Sequence, residues 1–173
     1  MNTSKMLRDV ARRNGLCDNF FTEWDLEASE QELLDKYLAG MNFCVNHDFP
    51  GVDIIRTVFH HELLNENNIY IDDRINLYNP TVNKKTNFVS LCGTSHGNIW
   101  LDSYSVADLF VQHDCDLDIV CRGMSKAFIT LSGNAKIRVV QDDCAFVAIY
   151  KKSEECSYET SGDVKVRDQT QVL

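Results

Sequence analysis

The chain has 173 residues, 44% hydrophobic and 25% charged, and a net charge of −9 that divides as −5 over residues 1–65 (six basic, eleven acidic) and −4 over residues 66–173 (eleven basic, fifteen acidic). That is room for one domain or two small units sharing a core, in the composition range of a globular protein. Neither half has the basic footprint that neutralises phosphates, so neither nucleic acid nor an anionic membrane is expected as a partner.

No apolar run reaches the roughly 18 residues that a membrane span needs. Charges also occupy the place where a signal peptide would have its apolar core, so a cytoplasmic protein is expected. Seven cysteines, Cys17, Cys44, Cys92, Cys115, Cys121, Cys144 and Cys156, form no CxxC pair. An odd number without that spacing fits reduced, mostly buried thiols better than a disulfide framework.

Residues 4–14 put Met6, Leu7, Val10 and Ala11 on one face and stop at Asn14-Gly15, which predicts a first helix. Phe20, Phe21 and Trp24 lie close together in the next segment, where large rings would pack the first two helices against each other. Ser29 and Glu32 make a capping box ahead of Leu33, Leu34, Tyr37, Leu38, Met41, Cys44 and Val45, predicting one helix over 29–46. After Pro50-Gly51, the spacing of Val52, Ile55, Val58, Phe59 and Leu63 predicts another that ends near Asn65.

The period then changes. Ile69 to Ile71 and Ile75 to Leu77 alternate around Asp72-Asp73-Arg74, as in a hairpin or first strand pair, and Phe88 to Leu91 supplies another strand. From Ser95 to Lys151 short alternations restart about every ten residues. Taking the last run to begin at Cys144, the third place holds Gly97, Ala107, Leu117, Ala127, Ile137 and Phe146, and the fifth holds Ile99, Leu109, Ile119, Ile129, Val139 and Ala148. Each is apolar or glycine, the mark of a strand with one buried face.

Such an array fits either an antiparallel β-meander or a β-solenoid in which each strand stacks on the one two runs later. Solenoid stacking lays Asp116 over Lys136 and Asp118 over Arg138, Ala107 over Ala127 and Leu117 over Ile137. Opposite charges in register stabilise by about 0.2–1 kcal/mol per pair, which favours the solenoid. The expected fold is therefore α+β, with a helical amino-terminal unit (1–66) capping a short β-solenoid (67–152) and a polar carboxy-terminal tail (153–173). Exposed strand edges need protection, and Lys151 to Glu155 would discourage strand addition at the far end.

The chemistry-bearing residues are scattered. His60-His61-Glu62, with Asp53 and His47, is the densest metal-capable set, but adjacent histidines on a helix point about 100° apart and the HExxH spacing is missing. Asp114, Asp116 and Asp118 share an outer face that could hold a hard cation, yet they lack the glycine-rich frame of calcium solenoids, so pairing with Lys136 and Arg138 is the simpler reading. Cys115 and Cys144 at the first place, and Cys121 at the seventh, stand where Ser105, Ser125 and Ala135 also serve, so small size is their role; a nucleophile would need a base such as His113. Cys92-Gly-Thr-Ser-His96 lacks the G-x-S-x-G frame. No catalytic, cofactor or metal site is therefore assigned. Trp100, Phe110 and Val120, at the outward sixth place, are the candidate interaction surface.

Ser4-Lys5-Met6-Leu7-Arg8-Asp9-Val10-Ala11, Asn14-Gly15-Leu16-Cys17, Glu32 to Tyr37, Gly40, Phe43-Cys44 and Asp48-Phe49-Pro50 resemble the opening of a family of short, uncharacterised proteins of phages and prophages of gut bacteria. Members of that family pair a helical head with an array of ten-residue strand runs. The resemblance implies an accessory role in a phage or mobile element, in the bacterial host cytosol or a virion, and carries over no catalytic residue. The expected function is a non-enzymatic structural or protein-interaction module that binds a protein partner or itself as a homo-oligomer. The alternatives are a carbohydrate-active enzyme using Asp108, Asp116 and Asp118 on the solenoid wall, and an inhibitor that sequesters a host protein or small molecule.

Overall fold

Asn2 opens the chain's first helix by accepting a hydrogen bond from the Lys5 amide through its side chain, satisfying a donor the helix leaves orphaned. The structure is a computed structural model that describes residues 2–82, 84 and 86–171. Helix α1 (Thr3–Arg13) buries Ser4, Leu7 and Ala11, and Gly15 follows its end with φ +91°. Helix α2 (Asp18–Thr22) is a short turn with no buried residue. Its rings meet α1 through cations as well as apolar packing: the Arg8 and Arg12 guanidinium carbons lie 4.7 and 5.0 Å from the Phe21 centroid. The Trp24 indole N–H donates to Ser4 Oγ at 2.9 Å.

The Ser29–Glu32 capping box forms as expected and starts α3 (Glu30–Ala39). The single helix expected over 29–46 is instead two, because the helix stops at Gly40, where helix propensity is poor, and restarts as α4 (Met41–His47). The helix expected from Val52 is also divided, into α5 (Val52–Val58) and α6 (His61–Glu66). Between them Phe59 is extended, and the next residue, His60, is tied to Glu30: its amide donates to Oε1 and its ring Nδ1 lies against Oε2, both at 2.6 Å. That backbone hydrogen bond is the main cause holding the Glu30 carboxyl below the usual glutamate range.

The chain divides into two units, Met1–His61 and Glu62–Leu173. The second is a parallel β-solenoid of about five turns. Its strands are β1 (Ile69–Ile71), β2 (Arg74–Tyr78), β3 (Phe88–Cys92), β4 (His96–Leu101), β5 (Val106–Val111), β6 (Asp116–Cys121), β7 (Lys126–Leu131), β8 (Lys136–Gln141), β9 (Phe146–Lys151), β10 (Ser157–Ser161) and β11 (Lys165–Asp168). One sheet has the order β1-β3-β5-β7-β9-β11 and the other β10-β8-β6-β4-β2. Every pairing is parallel. Each strand therefore serves as the crossover for the pair in the opposite sheet, which is how short corners satisfy the need of parallel strands for a long connection.

The stacking expected from the repeat is realised residue by residue: Asp116 pairs with Lys136, Asp118 with Arg138, Leu117 with Ile137 and Ala107 with Ala127. Inside, Ile99, Ile119 and Val139 continue one ladder and Val89, Leu109, Ile129 and Ile149 another, all at most 2% exposed. Burial of such side chains stabilises by about 1.5–3 kcal/mol each. At a corner every ten residues the backbone turns left-handed, at Gly93, Ser103, His113, Gly123, Gly133 and Asp143, with φ between 56° and 65°. Glycine, asparagine and aspartate tolerate this region best. Because half of these positions are not glycine, the ten-residue turn is less visible in the sequence than the alternation between turns.

Three expectations need correction. The segments at 69–78 form no hairpin: β1 and β2 lie in different sheets, paired with β3 and β4. The last run begins at Ala145 rather than Cys144, so Val147 and Ile149 point inward in register with Ala127 and Ile129, and Phe146 and Ala148 face outward. The residues expected as a polar tail form another coil instead. Its strands are exposed, so they need no apolar alternation, and backbone pairing of β10 with β8 and β11 with β9 holds them. Lys151 to Glu155 are thus a corner inside the array, and charged Glu159, Lys165 and Arg167 lie on the outermost strands, where charge discourages further pairing. Residues 172 and 173 of that expected tail lie outside the described residues.

Candidate functional site

Consecutive strands belong to opposite sheets, so the three residues of the expected interaction surface do not share a wall. Trp100 and Val120 stand in one column of the second sheet, continued by Tyr78 and Val140. Phe110 is on the other sheet, in register with Ser90 and Thr130. The spacing of twenty residues, rather than ten, was the signal that would have separated them.

The outer wall of the first sheet is richer in rings. In its middle column Phe88, Asp108, Phe128, Ala148 and Lys165 follow one another, and beside it run Phe110, Thr130, Tyr150 and Arg167. Phe88 meets Phe110 edge-on with centroids 5.9 Å apart, and Phe128 meets Phe146 at 5.8 Å. The Arg167 guanidinium carbon lies 5.9 Å from the Tyr150 centroid. Phe146 and Val106 are 41% and 45% exposed. Asp108, between Phe88 and Phe128, accepts a hydrogen bond from Asn87 Nδ2 at 3.3 Å, and its partial burial raises the carboxyl above the usual aspartate range.

The second sheet is polar apart from the Trp100 column. Asp116 and Asp118 both hold Arg138, the former at 3.0 Å. The hydrogen bond from Arg138 to Asp118, followed by the charge of Asp116, raises the guanidinium pKa further. Asn134 donates to Asp114 at 2.9 Å. The acidic face is therefore used internally, and an exposed pair of this kind contributes only about 0–1 kcal/mol. Asp108 stands on the opposite sheet from Asp116 and Asp118, so these three do not converge as a catalytic carboxylate set.

Compared with known proteins, the chain matches no family model, no curated protein and no solved structure.

The remaining candidates are dispersed. Asp53 pairs with Arg56 at 2.6 Å, the His47 ring stacks near Phe43 with centroids 4.6 Å apart, and His60 is engaged by Glu30. Among the described residues no three His, Cys, Asp or Glu side chains form a metal-holding group, and no helix is long and apolar enough to cross a membrane. In Cys92-Gly-Thr-Ser-His96, Ser95 Oγ donates to the Cys92 carbonyl at 2.8 Å as part of a corner. His113 Nδ1 accepts from the Gly93 amide at 3.2 Å. Burial pushes the Cys115 and Cys121 thiols up to about 12, so neither supplies a thiolate near neutral pH. Cys144 lies in a corner and is exposed, as is Cys17. A thiol-reactive chromophore should therefore label Cys17 and Cys144 quickly in the native protein and the other five only on unfolding. Fast reaction of Cys115 or Cys121 would contradict this packing.

One feature of the helical unit had no signature in the sequence. An apolar cavity of about 240 Å³ lies among residues drawn from Leu7 to Phe59, including Ala11, Phe20, Trp24, Tyr37 and Phe49. Lys36 is the charged residue of its lining.

Proposed function

We propose that the protein is a non-enzymatic interaction module whose solenoid self-associates through the outer wall of its first sheet, and that it serves a phage or mobile element in the accessory role its resemblance implies. The ring-rich wall supports this reading, because half-buried and exposed aromatic side chains on one regular face are the usual material of a protein interface. Self-association is favoured over an unrelated partner by the order of residues within the columns. A two-fold axis running along the strands midway between β7 and β9 would set Asp108 of one copy opposite Lys165 of the other, Phe128 opposite Ala148, and Phe110 opposite Arg167. Acid meets base, large meets small and ring meets cation, as an isologous contact requires.

Four strands about 4.8 Å apart and about 20 Å long offer roughly 400 Å² per copy, below the roughly 800 Å² of a standard stable interface. A reversible dimer at tens to hundreds of micromolar is therefore expected. Sedimentation equilibrium tests it: Asp108→Lys and Lys165→Asp should each shift the chain to monomer while circular dichroism is unchanged, and the double exchange should restore the dimer. A wild type that stays monomeric at millimolar concentration, or a double variant no better than the singles, would overturn the reading.

A further inference from the structure

We infer that the cavity of the helical unit is a binding site for a compact, neutral aromatic molecule of about two fused rings. Size sets the first limit. A cavity of about 150 Å³ already takes a benzene-sized guest, and about 240 Å³ leaves room for a second ring. The lining sets the chemistry: Leu7 and Ala11 from α1, Phe20 from α2, and Trp24, Tyr37 and Phe49 beyond it present apolar and ring surfaces. Leu7 and Ala11 are at most 3% exposed, whereas Phe20 is 45% exposed and therefore marks an accessible side.

Charge decides between neutral and ionic guests. The Lys36 ammonium donates to the Glu23 carbonyl at 3.5 Å and stands 5.7 Å from the Trp24 ring centroid. Glu32 stands one turn earlier on α3. A shallower depression next to the cavity shares Phe20 and Lys36 with it and adds Asp25, Glu32 and Asp35. An anionic guest would lose hydration in an apolar cavity and face these acids at its edge, so the carboxylate form of the same ring system is disfavoured. Trp24 is held in place by its hydrogen bond to Ser4 Oγ, so one wall of the site is preformed.

Isothermal titration of the full chain with indole, and in parallel with indole-3-carboxylate, tests the assignment. Indole should saturate one site per chain, and the carboxylate should bind at least about tenfold more weakly, equivalent to 1.4 kcal/mol. Ala11→Met, which fills the cavity with a flexible apolar side chain, should abolish indole binding in a protein that still melts cooperatively. Phe20→Ala, at the exposed side, gives a second variant and should weaken binding several-fold. Absence of indole binding to the wild type, equal binding of the carboxylate, or full binding by both folded variants would overturn the inference. So would binding only of a peptide bearing a phenylalanine, which would make the cavity a socket for a partner's side chain. None of these outcomes bears on the wall of the solenoid, whose test is mass.

Discussion

Gly97→Ala should destabilise the protein by about 3 kcal/mol or more, far beyond what one methyl group ordinarily costs. Gly97 sits at the third, inward place of β4 in register with Ile75 of β2 and has φ +135°, a conformation that side chains rarely adopt. A Cβ there would overlap the Ile75 carbonyl oxygen and come within 3.0 Å of its carbon. The obstacle is backbone, so no rotamer change relieves it, and the β2–β4 pairing must open. Urea denaturation of Gly97→Ala beside Asn98→Ala, the next residue and an outward one, measures the effect. Asn98→Ala should stay within about 0.5 kcal/mol of wild type, and a Gly97→Ala result equally mild would mean that the two backbones are not so close.

Ile149→Ala should cost about 2–5 kcal/mol, whereas Phe146→Ala should cost less than about 1 kcal/mol despite removing the larger side chain. Ile149 is fully buried in the ladder of Leu109 and Ile129, so truncation leaves a cavity between the sheets. Phe146 faces outward at 41% exposure and loses mainly its contact with Phe128. The two variants, followed by the same denaturant titration, report the register of β9 directly. A one-residue slip would exchange the two costs, because it turns every side chain to the other face.

That slip is where the sequence was hardest to read. Phe146, Val147, Ala148 and Ile149 are all apolar, so alternation cannot say which two face inward, and Cys144 and Ala145 are both small enough for the corner. Only the strict ten-residue count from Ser95, Ser105, Cys115, Ser125 and Ala135 selects Ala145. Where polar residues alternate, as in Asp116-Leu117-Asp118-Ile119, the face and the stacking partner were both legible, down to Arg138 under Asp118. The last coil was not, since Ser157 to Asp168 is held by backbone bonds along one edge and leaves little apolar pattern. Its aliphatic residues are few, Val164 packed against the core and Val166 on β11.

The helices show the same division. The Ser29–Glu32 capping box was readable because its chemistry is local, but the break at Gly40 and the extended Phe59 were not. The second depends on Glu30 reaching His60 across thirty residues. The cavity was invisible for that reason, its lining being gathered from four helices and the segments between and after them. The outward side chains were half legible: Trp100, Phe110 and Val120 do face outward, but runs ten residues apart were placed on one wall when the coil places them on two.

Pulsed electron–electron resonance between spin labels at Arg74→Cys and Ser157→Cys, in a Cys17→Ser, Cys144→Ser background that removes the exposed thiols, is the most direct test of the stacked coil. Both positions are exposed, and four parallel steps in one column, Arg74 to His96, Asp116, Lys136 and Ser157, separate them. At about 4.8 Å per step the backbones should be about 19 Å apart. A chain folded as successive hairpins would put eight steps between them, and a separation of about 38 Å would contradict the solenoid.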